Sequence, residues 1–213
     1  MHDPNKKHLI GIAGPPSSHK TTTATLVRAF TTGSRDIVME FAREWIVRHR
    51  KVSGLAGQMV LMNQQRDSEQ RALGVYRWAI SDSPQFLSYV YCTLDGLIDI
   101  HDSEQRDFLS IIYNHSVRSL ADYSRIYLLT PKAVVKDGVR KQDDDDAEVI
   151  YRRAKEFLDI HIPGGYLQID VEENMKRAGI IVNDLLKSGI ISDSEINDEF
   201  RPVLEEQHAV SQG

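Results

Sequence analysis

Eight consecutive residues, Gly14-Pro15-Pro16-Ser17-Ser18-His19-Lys20-Thr21, stand between an apolar run and a stretch of helical periodicity, and their types suit the holding of phosphate. They match Gly-x-x-x-x-Gly-Lys-[Ser/Thr], the P-loop pattern, with histidine at the second glycine position. Such a loop turns backbone N–H groups toward phosphate oxygens and opens into a helix whose first turn carries partial positive charge. Lys20 would reach the outer phosphates of a nucleoside triphosphate, ATP or GTP. The Thr21 hydroxyl would ligate Mg²⁺, and Gly14 through Thr22 would line the nucleotide. His19 puts a side chain where the pattern has none. It fits if it faces solvent or if its backbone lies near the left-handed region, where His is mildly enriched. The competing reading, a chance Gly-Pro turn, has to explain why a strand and a helix flank it on cue.

Phosphoryl chemistry also needs an acid to orient an attacking hydroxyl and cations to stabilise the moving charge. The elements that must position these groups are legible as alternating runs. His8 to Ala13 lacks polar alternation, as a buried parallel strand does, and Thr21 to about Thr32 carries apolar residues at helical spacing. Arg35 to Glu40, Tyr76 to Asp82, Ser124 to Thr130 and Tyr166 to Asp170 read as four more strands. Helices are expected from Phe41, over Met59–Val75, Gln85–Cys92, Ser103–Ser116, Ala147–His161 and Glu172–Lys187. This order predicts an α/β fold with a five-stranded parallel sheet covered on both faces and ligands beyond the carboxyl ends of the strands. The phosphate loop, Glu40, Asp82 and Thr130 all fall at that edge. Asp82 has a competing role as the N-cap of the helix after it, since Asp-Ser-Pro is a good helix start. Glu40 and Arg43, three residues apart, could equally form a salt bridge on one helical turn.

The segments Gly14 to Thr22, then Glu40-Phe41-Ala42-Arg43-Glu44-Trp45, then Ser81-Asp82-Ser83-Pro84 together resemble the kinase-like family that includes the nicotinamide riboside kinase domain of bacterial NadR proteins, within the nucleoside and nucleotide kinase superfamily. The likeness runs in order from about His8 to Asp170. It implies the P-loop NTPase fold and an ATP-dependent kinase that passes the γ-phosphoryl group to a hydroxyl of a nucleoside or nucleotide-like acceptor. Asp82 would be the acid near Mg²⁺ and that hydroxyl, as general base or as anchor of a metal-bound water. Glu40 and Arg43 would face the acceptor, with Trp45 or Phe41 available to stack on its base. Family members often carry Asp-Arg or Asp-Thr where this chain has Asp82-Ser83. Relatives also carry a lid after the fourth strand, which places it here at about 132–147, with Gly138 as hinge and Arg140 reaching over the transferred phosphate; a polar surface loop balancing Asp143 to Asp146 is the alternative.

Arg48-His49-Arg50-Lys51 is the densest positive cluster in a chain of formal net charge −5. It reads as a solvated helix end, or as a grip on a phosphorylated acceptor led by Arg48. The second reading keeps open a kinase of a hydroxymethylated base, of the 5-hydroxymethyluracil type, in viral DNA, with the base flipped toward Asp82. A P-loop ATPase or switch with a protein partner is a third possibility. It is weakened by the lack of an apolar strand ending in Asp-Glu, and no Asn-Lys-x-Asp motif of GTPases is present.

The net charge excludes general coating of nucleic acid. One cysteine, Cys92, excludes an internal disulfide and a Cys-built zinc site, and fits a reducing cytoplasm of a bacterial or virus-infected cell. No run has the length needed to span a bilayer. With 213 residues, 41% of them hydrophobic, one kinase domain over 1–190 is expected, followed by a polar and partly flexible tail over 191–213. Oligomeric state is left open.

Overall fold

The structure is a computed structural model that describes residues 6–42, 44–45, 54–94, 99, 101–131 and 144–210. Five strands, β1 (His8–Ala13), β2 (Arg35–Val38), β3 (Trp78–Asp82), β4 (Tyr123–Leu129) and β5 (Leu167–Ile169), form one sheet in the order β2-β3-β1-β4-β5. Every pairing is parallel. Helices α1 (Lys20–Phe30), α2 (Gly54–Val75), α3 (Leu87–Cys92), α4 (Ser103–Ser119), α5 (Asp144–His161), α6 (Asn174–Lys187) and α7 (Arg201–Val210) are accompanied by short 3-10 turns at Leu120–Asp122, Asp193–Glu195 and Asp198–Phe200. Residues 41, 42, 44 and 45 are helical as well.

The central strands β1 and β3 lack polar alternation because both of their sides are buried. Ile10, Ile12, Trp78, Ile80, Tyr127 and Leu129 face one core with Val27 and Phe30 of α1 and Ile181 and Leu185 of α6. Leu9, Ala79, Ile126 and Leu128 face the other with Phe86, Val90, Ile150 and Leu158. Each such fully buried side chain stabilises the fold by about 1.5–3 kcal/mol.

The segment from 191 onward departs from expectation. It was expected as a polar tail, yet Phe200 stacks on Phe30 with centroids 4.6 Å apart, and Ile196 and Leu204 are each only 5% exposed. Glu195 accepts from Arg77 at the start of β3 and from the Ser192 backbone N–H at 3.0 Å. Polar composition hid a stripe of three apolar residues, Ile196, Phe200 and Leu204, spaced four apart.

Because β3 and β4 flank β1 on opposite sides, the chain reverses its direction of winding about β1. The loop leaving β1 therefore emerges at the topological switch point, where α/β sheets hold ligands.

Candidate functional site

The loop after β1 is shaped by residues that tolerate unusual backbone. Gly14 has φ 154°, and a Cβ there would lie 2.7 Å from Ser18 Oγ and 3.0 Å from the Leu129 carbonyl. Ser17 (φ 61°) and His19 (φ 62°, ψ 33°) are both left-handed. His19 adopts the conformation that a glycine would take more easily, and its exposed imidazole lies 3.4 Å from the Asn174 amide. Strain held in such a loop is typical of ligand sites. Helix α1 begins at Lys20 with no acidic residue of its own in the first turn, so its positive end faces the loop. Lys20 is 4% exposed, and its Nζ donates to the carbonyls of Gly14 and Pro15, each at 3.1 Å.

Asp82 ends β3 opposite Ile12, two residues before Gly14. It is fully buried, and its Oδ2 accepts a short hydrogen bond from the Thr21 hydroxyl. The helix after it begins only at Leu87 with Phe86 at the cap position, so Asp82 does not cap it. Between them Ser83 takes φ 87°, donates its N–H to the Ile12 carbonyl at 3.2 Å, and lies 3.4 Å by its hydroxyl from Glu40 Oε1. Thr21, Asp82, Ser83 and Glu40 thus meet at the carboxyl edge of the sheet. Phe41 and Trp45 follow Glu40 with their rings 6.1 Å apart. A cleft of about 30 Å³ lies between Glu40, Phe41, Gln58, Gln65, Ser83 and Tyr91. Arg43, Arg48 with the basic run to Lys51, Arg140 and most of the expected lid lie outside the described residues.

Four supports escaped the sequence reading. Gly11 in β1 leaves room for Pro84, whose Cγ would lie 2.8 Å from a Cβ there, and this seats the Asp82-Ser83-Pro84 turn against the sheet. Glu69, wholly buried on α2, accepts from Ser81 Oγ and Gln85 Nε2 at 2.5 Å each and from Tyr123 OH at 2.8 Å. Burial raises its pKa, while those three donors hold it down and Asp122 adds a smaller upward push. Gln65, one turn earlier, donates to Ser81 at 3.1 Å and accepts from the Phe41 N–H at 3.3 Å, tying the residues beside Asp82 to those beside Glu40.

The fourth is Arg177 on α6, with no exposed surface. Its guanidinium donates to the Ser18 carbonyl at 2.6 Å, to the Thr130 carbonyl at 3.4 Å and hydroxyl at 3.3 Å, and to the Val171 carbonyl. Burial lowers its pKa, and Asp170 and Glu172 offset this at longer range. The detectable signal was its place four and eight residues before Ile181 and Leu185, on the apolar stripe of α6.

The donor set at the loop suits a magnesium ion. Mg²⁺ takes hard oxygen ligands, keeps several waters and is bound by one or two protein oxygens plus substrate phosphates. Thr21 Oγ1 and Asp82 Oδ2 are such oxygens and already touch. Among the described residues no group of three or more His, Cys, Asp or Glu could hold a metal without that help. No helix among them is long and apolar enough to cross a membrane.

A parallel sheet wound about β1, with a phosphate-type loop at the switch point and an acid at the end of the neighbouring strand, defines a P-loop fold. Residues 9–175 match the family described as AAA domain, and the chain belongs to that family. Among curated proteins no match is found. The fold is similar to a NadR protein in complex with NAD and AMP-PNP, at TM-score 0.67 and 12% identity over 90% of this chain and 52% of that one, so the chain spans about half the length of that protein. Deoxyadenosine kinase from M. mycoides with bound dCTP matches at TM-score 0.59 and 12% identity over 84% of this chain and 99% of its own. Thymidylate kinase from Candida albicans matches at 0.58 and 14% over 90% and 97%.

Proposed function

We propose that the chain is a kinase that transfers the γ-phosphoryl group of ATP to a hydroxyl of a nucleoside or nucleotide-like small molecule. The observation that carries this reading is the contact between Thr21, the first threonine after the P-loop lysine, and the buried Asp82 carboxylate at the end of β3. It sets a metal-binding hydroxyl and an acid beside the loop that would hold the donor's phosphates. The neighbours in fold, complexed with AMP-PNP or dCTP or named as thymidylate kinase, support the donor and acceptor classes.

The transfer is a matter of placement and charge. The backbone N–H groups from Gly14 to Thr22 cradle the phosphates, and Lys20 turns from the loop carbonyls to the outer phosphate oxygens. Thr21 and Asp82 would hold Mg²⁺, which supplies charge neutralisation across the outer phosphates. Asp82 orients the acceptor hydroxyl and takes its proton as the oxygen attacks the γ-phosphorus, while the bond to the bridging oxygen breaks and ADP leaves. Glu40, Arg43, Trp45 and Arg48 form the acceptor side, and Arg140 covers the transferred group from a lid over 132–147.

Purified protein with Mg²⁺ and γ-labelled ATP is offered separate pools of nucleosides, nicotinamide riboside, nucleoside monophosphates, and DNA with normal or hydroxymethylated bases. Label should enter one small-molecule pool and vanish with Lys20→Ala. Label in DNA would move the acceptor to a modified base and give Arg48 to Lys51 a phosphate-binding role. Free phosphate alone from every pool would replace the kinase with an ATPase or switch.

A further inference from the structure

Arg177 is a buried cation with an unusual set of partners. Every hydrogen bond described for it goes to a carbonyl or hydroxyl oxygen, and the Asp170 and Glu172 carboxylates offset its burial only through longer-range charge. Taking a charge out of water costs several kcal/mol unless the charge is compensated. Carbonyl dipoles supply only part of that compensation. Asp170 and Glu172 add to it through longer-range charge, and an anion on the far side of the loop would add more.

The Ser18 carbonyl that receives the 2.6 Å bond belongs to the same peptide group as the His19 N–H. No peptide bond here is cis, so the two ends of that group point in opposite directions. A cation on the oxygen withdraws electron density through the peptide and strengthens the N–H as a donor. The N–H thus faces away from Arg177 and carries enhanced positive character at the residue just before Lys20. The same guanidinium joins three chain segments that meet beneath the loop: the loop itself at Ser18, the end of β4 at Thr130, and the turn after β5 at Val171. The left-handed residues Ser17 and His19 on either side of Ser18 require this kind of external bracing.

We propose that Arg177 is the positioning residue of the phosphate loop: its fork fixes the Ser18–His19 peptide and polarises its N–H toward a polyphosphate, which in turn completes the compensation of the buried charge. The proposal deepens the P-loop reading above and rests on it.

The test compares wild type, Arg177→Lys and Arg177→Met by calorimetric titration with AMP, ADP, ATP and inorganic tripolyphosphate, after confirming each fold by its melting transition. Lysine keeps the charge, but its donors radiate from a single nitrogen and cannot span the places that the guanidinium fork reaches at Ser18, Thr130 and Val171. The expected result is a loss of affinity that grows along the phosphate series. It should reach about tenfold or more for ATP and tripolyphosphate in Arg177→Met, less in Arg177→Lys, with AMP nearly unchanged. A residue that merely braced the scaffold would weaken all four ligands alike or none. Either of those patterns overturns the proposal and leaves the P-loop reading standing. Absence of a melting transition in both variants would assign the side chain to the scaffold and also overturn it. Wild type that binds neither ATP nor tripolyphosphate would remove the P-loop reading and this proposal together.

Discussion

Asp82 shows how much chemistry depends on a single side chain's surroundings. It is fully buried, is touched by the Thr21 hydroxyl, and is followed by Ser83 in a left-handed conformation that few residues adopt. Such a turn is held for a purpose beyond connecting a strand to a helix. Asp82→Asn keeps the shape but removes the base and one negative metal ligand. Steady-state kinetics should show kcat lower by about 10²–10⁴-fold, the range associated with a positioned general base. A fall of less than tenfold would take the base role away from Asp82. His19 was legible as an exception to the loop pattern, and its backbone sits in the left-handed region that would accommodate it. Arg177 was not legible, because an arginine in a helix is ordinarily solvated or paired with an acid one turn away. Only the folded chain brings its head beneath the loop.

At the scale of elements, the strands were readable because burial on both faces leaves runs such as His8–Ala13 and Trp78–Asp82 without polar alternation. Their spatial order, β2-β3-β1-β4-β5, was not readable, since it depends on crossovers that no local pattern records. Nor was the polar cluster around Glu69, whose members come from α2, β3, the α3 entry and β4 and lie 12 to 54 residues away from it in sequence. That cluster has a measurable signature. The folded-state pKa of Glu69 is raised by burial, so between the ordinary glutamate value and the raised one the folded chain holds a proton that the unfolded chain has lost. Stability from this group is therefore present at low pH and lost as pH rises through the folded pKa. Chemical denaturation across mildly acidic to neutral pH should show wild type losing stability relative to Glu69→Gln as pH increases. Parallel profiles for the two proteins would mean that Glu69 titrates normally and that the cluster is not as dry as its burial implies.

For the molecule as a whole, the C-terminal segment is part of the core on one face of the sheet. Phe200 and Leu204 close the side of the sheet formed by α1 and α6, and Glu195 ties the segment to Arg77. Leu204→Ala should cost about 2–4 kcal/mol by the usual scale for a buried leucine, read as a lower denaturation midpoint with an unchanged slope. A change below about 0.5 kcal/mol, as for a surface site, would return the segment to the status of a tail. The central claim concerns where the phosphoryl group goes, and phosphorus NMR follows its destination directly. ATP, Mg²⁺ and the protein are observed with and without the acceptor pool that takes up label. A kinase predicts a new phosphomonoester resonance that grows in step with ADP, only with acceptor present and not with Lys20→Ala. Inorganic phosphate rising at the same rate with or without acceptor would contradict it.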